Sequence, residues 1–272
     1  MALGKVMVIT QKNLIRPAAN LTVTWEKLPS DFQLEEEPVE NTGQPLIAGA
    51  LRESLELLGY ITPERLVASN LGICATVNGQ LVIKAPDWFY VPSVQRLPAR
   101  SDFPAQTLGD RKSYTPNLEG DIPSVVMEFL SDADGGEYSV KRTYPPGKWF
   151  FYEQILKVPT YVIFEPKTGL LEVYRLQAQR YELELPNPEG QHWLSEIGLF
   201  LGTWQGEKEG RTGYWLRWWD EAGNLLLWSV EQLEQERQRV EQERQGAEQE
   251  RQRADKLAAY LRSQGINPDE IE

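Results

Sequence analysis

The chain has one cysteine, Cys74, and one histidine, His192. A lone thiol excludes an intrachain disulfide and any cysteine-cluster zinc site. A lone imidazole excludes multi-histidine metal sites and removes the usual histidine general base and the Ser-His-Asp arrangement. No stretch approaches the ~18 consecutive apolar residues of a membrane span. Met1 to Thr10 has one lysine and only a short apolar patch, without the apolar core and cleavage site of a secretory signal. Basic charge is also scarce, with 28 Lys and Arg against 40 Asp and Glu and a net charge of −12. Strong nonspecific nucleic-acid binding normally leaves a basic footprint, so the overall balance argues against it. These absences predict a soluble, cytoplasmic protein. Any chemistry falls to carboxylates, lysines and a hard, oxygen-loving cation.

What is present is globular in character. Of the 272 residues, 41% are apolar and 25% charged, which excludes global disorder and collagen. The length allows one large domain or two small ones. Charge is unevenly spread. Asp31, Glu35, Glu36, Glu37 and Glu40 form an acidic run without a base, read as loop, while bases outnumber acids between Lys84 and Lys112. A locally basic face on an acidic protein is therefore compatible with the sequence.

Periodicity orders the chain. Residues 1–24 read as a lead-in, with a strand-like stretch from Leu21 to Trp25. Ile47, Leu51, Leu55 and Leu58 recur at helical spacing before Gly59, which predicts an amphipathic helix over 45–58. Ile73 to Val77, Asn78-Gly79 and Leu81 to Ile83 form an Asn-Gly hairpin signature. Its second strand is expected to run on through Pro86-Asp87 to Val91. Residues 92–122 read as a long surface excursion. Ser124 to Ser131 is a short apolar strand with one acid, Glu128. Lys148 to Leu156 looks helical, and Tyr161 to Pro166 is another apolar strand ending near Glu165. Residues 171–176 and 180–185 read as antiparallel strands. Tyr214 to Trp219 and Leu225 to Trp228 read as a hairpin whose tryptophans serve a core or sheet face more readily than a ligand platform.

The tail differs. Glu241-Gln-Glu-Arg-Gln and Glu248-Gln-Glu-Arg-Gln repeat at heptad spacing, with Leu233, Val240, Ala247, Ala254 and Leu261 at one position and Arg237, Arg244 and Arg251 at its partner. A stable coiled coil wants two apolar positions per heptad. The tail is read as a mostly solvated helix with a capacity for weak self-association.

One constellation points to chemistry. Asp87 follows a proline at a strand end, Glu128 interrupts an apolar strand, and Lys141 and Lys148 follow in the next polar stretch and helix. A carboxylate in an apolar strand is costly unless it is paired or binds metal. Two such carboxylates can hold Mg²⁺ with water completing the shell, and a nearby ammonium can orient or deprotonate an attacking water. That suffices for phosphodiester hydrolysis without histidine. Spacing alone leaves two readings beside it: a turn-starting Pro-Asp with an edge-strand glutamate, or a sugar hydrolase using Asp87 and Glu128 as acid and base without metal.

Taken in order, Ala85-Pro-Asp87, Arg111-Lys-Ser-Tyr114, Pro123 to Ser131, Phe151-Tyr152-Glu153 and Val158 to Pro166 resemble the Uma-type putative restriction endonuclease family, within the PD-(D/E)xK nuclease superfamily. The resemblance covers roughly residues 25–205. It implies an α/β (α+β) fold, a restriction-endonuclease-like mixed sheet flanked by helices. A Trp-rich hairpin extension over 206–230 and a helical tail over 231–272 would follow. It implies a metal-dependent endonuclease acting on DNA, with Mg²⁺ or Mn²⁺ on Asp87 and Glu128. The superfamily's usual lysine position holds Leu130, so the lysine would come from further along: Lys148, four residues before Tyr152 and slightly favoured, or Lys141. Glu40 or Gln44 lies nearest the expected first-helix acid, while Glu53 and Glu56 are expected to face water. Arg111, Lys112, Tyr114 and Tyr152 are candidate substrate contacts; for the first three, a loop salt bridge and tyrosine packing serve equally well. A homodimer would suit cleavage of two strands. The alternative within the same fold is a catalytically silent module that binds or assembles through its tail.

Overall fold

The structure, a computed structural model, describes residues 22–26, 42–96, 110–130 and 136–265. Glu40 and the rest of the acidic run lie outside the described residues. The chain divides into two compact units, Met1–Leu226 and Leu227–Glu272. Twelve strands are described in the first unit: β1 Val23–Thr24, β2 Leu66–Ala68, β3 Ile73–Val77, β4 Gln80–Lys84, β5 Trp88–Val91, β6 Val125–Phe129, β7 Thr160–Glu165, β8 Leu170–Gln177, β9 Arg180–Glu184, β10 His192–Leu194, β11 Leu199–Lys208 and β12 Arg211–Trp219. They form three sheets, ordered β1-β3-β4, β10-β11-β12 and β2-β5-β6-β7-β8-β9. The last is mixed: β6 and β7 run parallel, and every other neighbour pair is antiparallel. The mixed sheet with flanking helices agrees with the expected α+β class.

Helix α1, Gly43–Leu57, buries Ile47, Leu51 and Leu55 as the spacing predicts. Leu58 is half exposed instead, because the helix closes there. Gly59 takes φ +68°, its N–H bonds to Glu56 O at 2.8 Å, and the Tyr60 N–H bonds to Leu55 O at 2.9 Å. This is a Schellman closure, which favours glycine at the left-handed position. Trp218 Nε1–H donates to Leu51 O at 3.1 Å and ties α1 to β12. Glu53 does not face water freely: Lys208 Nζ lies 2.7 Å from its carboxylate, while Glu56 is exposed as expected.

Asn78 and Gly79 both have positive φ, +52° and +77°, as a two-residue hairpin between β3 and β4 requires. The hairpin's second strand ends at Lys84, short of the expected Val91. Pro86 offers no N–H to a ladder and its carbonyl takes the Asn70 N–H, so the chain leaves one sheet and enters another as β5. The excursion after β5 is pinned by bridges from Val94 to Gly120 and from Ile73 to Tyr114. A Cβ on Gly120 would meet Ser93 O at 2.4 Å, so this crossing needs glycine.

The tryptophan-rich hairpin is also built differently from expectation. β12 pairs with β11 along its whole length, and Leu225 makes a single bridge to Trp219. The ten-residue β11 outcompetes the short 225–228 run because it supplies a full ladder of partners. It runs continuously across position 205, where the expected core would have ended. Trp215 and Trp218 are fully buried, and Arg217 sits over the Trp204 ring at 5.1 Å, so this aromatic density serves packing.

The crossover from β6 to β7 carries the site. A 3-10 turn, Gly136–Tyr138, precedes helix α2, Lys148–Phe150, which continues as a π-helical segment, Phe151–Leu156. Phe150, Phe151, Tyr152, Ile155 and Leu156 bury its apolar face. Trp149 stands edge-on to Tyr174 at 4.7 Å and to Tyr181 at 5.5 Å. In the second unit, helix α3, Ser229–Ser263, has no buried residue. It is laced by short-range pairs such as Arg239–Glu236 at 2.7 Å and Arg244–Glu241 at 2.9 Å. No helix among the described residues is long and apolar enough to cross a membrane.

Candidate active site

β6 is buried along its entire length, and Glu128 within it has no exposed surface. Strands β5 and β6 bring it a neighbour. Trp88 pairs with Met127, so one step outward Asp87 stands across from Glu128. The start of β5 leaves the Phe129 N–H without a ladder partner, and the Asp87 carboxylate accepts it instead. A carboxylate just before β5 and one within β6 thus face each other at one end of two interior strands.

The crossover adds the rest. Lys148 and Tyr152, four residues apart, share a helical face turned toward β6. Lys148 Nζ donates to Glu128 Oε2 at 3.0 Å, and the Tyr152 hydroxyl donates to Glu128 Oε1 at 2.8 Å. Tyr161 fixes the 3-10 turn by donating to Glu137 O at 2.9 Å. That turn presents Glu137, whose Oε1 lies 3.6 Å from Lys148 Nζ. Three acids therefore act on one ammonium.

Electrostatics follow from burial. Desolvation pushes the Glu128 carboxyl up to about 8, opposed by Lys148 and reinforced by Asp87. For Lys148, burial works against its charge, yet Glu128, Glu137 and Asp87 together hold its pKa above the ordinary lysine value. The lysine is the member of this pair that keeps its charge, since it is partly open to water and faces three acids. Burial, followed by Glu128, raises the Tyr152 hydroxyl well above the ordinary tyrosine value, so it stays a donor.

Other sequence candidates fall elsewhere. Lys141 is exposed in the loop before α2, where its carbonyl accepts the Gly147 N–H. Tyr152 is fully buried, with its hydroxyl on Glu128. Arg111 pairs with Glu119 at 2.9 Å and donates to Gln95 O, and Tyr114 is buried in the core with its hydroxyl on Asp121 O. Salt bridge and packing are what the structure gives these two. Lys112 is exposed. Gln44, at the start of α1, is buried and donates to Phe129 O at 2.6 Å, which places it beside the acid strand. Glu137 was not singled out by sequence. Its signal is faint: one acid in a glycine-rich stretch between two site residues.

The described residues include no group of three acidic, histidine or cysteine side chains disposed to hold a metal together. Mg²⁺ does not require one, because it is commonly held by one or two carboxylates with waters. The donors are hard oxygens, and Glu137 Oε2 is buried with no hydrogen-bond partner among the described residues, so the cluster has spare negative charge for a cation. Asp87 and Glu128 fit a hard divalent ion.

The sequence family described as Uma2, putative restriction endonuclease, matches residues 55–204, more than half of the chain. The chain belongs to this family. Asp87, Glu128, Glu137, Lys148 and Tyr152 all lie inside the matched span. Among solved structures, the chain is similar to a putative nuclease from Anabaena variabilis ATCC 29413, at 12% identity and a TM-score of 0.40, over 60% of this chain and 78% of that one. No curated protein matches the sequence.

Proposed function

We propose that the protein is a Mg²⁺- or Mn²⁺-dependent endonuclease that hydrolyses phosphodiester bonds of DNA. The observation that carries this reading is the wholly buried Glu128, facing Asp87 across the strand pair and gripped by Lys148. Asp87 and Glu128 would hold the cation, which when bound supplies Lewis-acid polarisation of the phosphate and a more acidic water. Lys148 meets the negative charge that grows on the phosphate and orients the attacking water. Held above its ordinary pKa, it acts as a donor of hydrogen bonds rather than as the base. Tyr152 keeps the Glu128 carboxylate in one orientation. Lys141 remains the alternative lysine, and Lys112 a candidate phosphate contact.

Incubation with supercoiled plasmid tests the proposal. Nicking with Mg²⁺ or Mn²⁺, lost on adding EDTA and in Asp87→Asn, is the expected result. Cleavage indifferent to EDTA would overturn metal dependence. A second reading, a silent nuclease-fold module that assembles through its tail, draws on the exposed Leu233 and Val240 of α3. It predicts no cleavage under any divalent ion, together with self-association that is lost in Val240→Glu.

A further inference from the structure

The lysine at this site has two buried carboxylates and uses one of them fully. Lys148 Nζ is 3.0 Å from Glu128 Oε2 and 3.6 Å from Glu137 Oε1. Glu137 is 7% exposed, and its second oxygen has no hydrogen-bond partner among the described residues. A buried carboxylate oxygen without a donor carries an unrepaid desolvation cost. Glu128, by contrast, has both oxygens engaged, one by Lys148 and one by Tyr152. A divalent cation approaching Glu128 Oε2 is repelled by the ammonium already bound there, since like charges at a few ångströms in a buried site interact strongly.

We propose that Glu137 is a positioning residue that takes Lys148 over from Glu128 when a divalent cation binds Asp87 and Glu128. The inference rests on the metal-site reading above. The handover needs only a small displacement: shortening the 3.6 Å contact to the ~2.8 Å of a charge-assisted hydrogen bond. It relieves the crowding of charge at Glu128 Oε2, gives Glu137 Oε1 a full hydrogen bond, and keeps the ammonium beside the reacting phosphate. The 3-10 turn is a suitable mount, since Tyr161 holds its backbone by a hydrogen bond to the Glu137 carbonyl. Direct ligation by Glu137 is the competing role. It is disfavoured because the described acids include no group of three disposed to hold a metal together.

A double-mutant cycle on Mn²⁺ affinity separates the roles without using catalysis. Mn²⁺ binding to the full chain is measured by electron paramagnetic resonance for wild type, Glu137→Gln, Lys148→Met and the double variant. Asp87→Asn defines binding outside the site, and thermal melts confirm folding. The handover predicts that Glu137→Gln weakens binding about tenfold when Lys148 is present, because the lysine then stays on Glu128. With Lys148 replaced, the same change costs less than about twofold. Equal losses in both backgrounds would make Glu137 a direct contributor to the cation site and overturn the handover. So would no loss in either. Wild type that binds no Mn²⁺ beyond the Asp87→Asn level would instead remove the metal-site reading itself, and the handover with it. Should Lys148→Met fail to fold, Lys148→Gln replaces it. The ¹⁵N resonance of the Lys148 ammonium gives an independent readout: Mg²⁺ shifts it in wild type and not in Glu137→Gln, and an unmoved wild-type resonance overturns the proposal.

Discussion

Two clusters of charge lie along the six-stranded sheet, one built on a wholly buried acid and one partly open to water, and they are finished to different degrees. Around Arg175 on β8, every carboxylate oxygen has a partner. Arg175 Nε bonds to Glu184 Oε2 at 2.6 Å, its terminal nitrogens reach Glu196 at 3.2 Å and the Trp193 carbonyl, and Thr160 donates to Glu196 at 2.6 Å. His192 completes the set at 3.3 Å from Glu184. Around Lys148, three acids face one ammonium, one acid is wholly buried, and Glu137 retains an unpartnered oxygen. A satisfied network specifies packing, whereas one left with surplus negative charge is arranged for something to enter it. Buried charge alone would have pointed equally to both.

The sharpest way to break this contrast is to neutralise one acid in each cluster. Glu128→Gln and Asp87→Asn are each expected to lower metal-dependent plasmid cleavage by at least about a hundredfold. Glu196→Gln is expected to leave the rate per folded molecule within about twofold. Equal losses from Glu196→Gln and Glu128→Gln would erase the distinction.

Removing the cations gives the next largest effect. Lys148→Met uncovers a buried charge and is expected to cost about 3–5 kcal/mol in urea unfolding above pH 8. Below about pH 7 the loss shrinks, because Glu128, already pushed toward 8 by burial, takes up a proton. Arg175→Met leaves carboxylates that water reaches, with side chains 30% and 17% exposed, and is expected to cost less, about 1–3 kcal/mol.

The two clusters should also tilt stability oppositely with pH. Glu128 binds its proton more tightly folded than unfolded, so its contribution is present at low pH and is lost as pH rises from about 4.5 to about 8. His192 is lowered by burial, so the folded state resists its protonation and stability falls as pH drops below 6.5. Melting curves across pH should lose the first slope in Glu128→Gln and the second in His192→Gln. If neither slope changes, the assignment of the two titrations is wrong.

The smallest effect lies in α3. Val240 is 52% exposed there, and Val240→Glu should change melting by no more than about 0.5 kcal/mol equivalent. A larger drop accompanied by a change of oligomeric state would move the tail from appendage to assembly element.

Local chemistry was enough to announce α1, the Asn78-Gly79 hairpin, the acid-bearing strand β6, a helix beginning at Lys148 and the long tail. Each depends on periodicity or turn geometry within a short window. Asp87 and Glu128 were legible as a candidate pair from their residue types and places, and the family resemblance gave that pair its weight and set Lys148 with Tyr152 beside it. Partner choice needed the folded chain. Which strand pairs with β12, why Pro86 splits one apparent strand between two sheets, and the seating of Tyr114 in the core and of Arg111 on Glu119 depend on competition among distant segments. Glu137 belongs to the same class. Its glycine-rich neighbours mark it only faintly, and it acquires meaning when the crossover folds back and sets it against Lys148, because burial and charge–charge distance are properties of the assembled core rather than of sequence spacing.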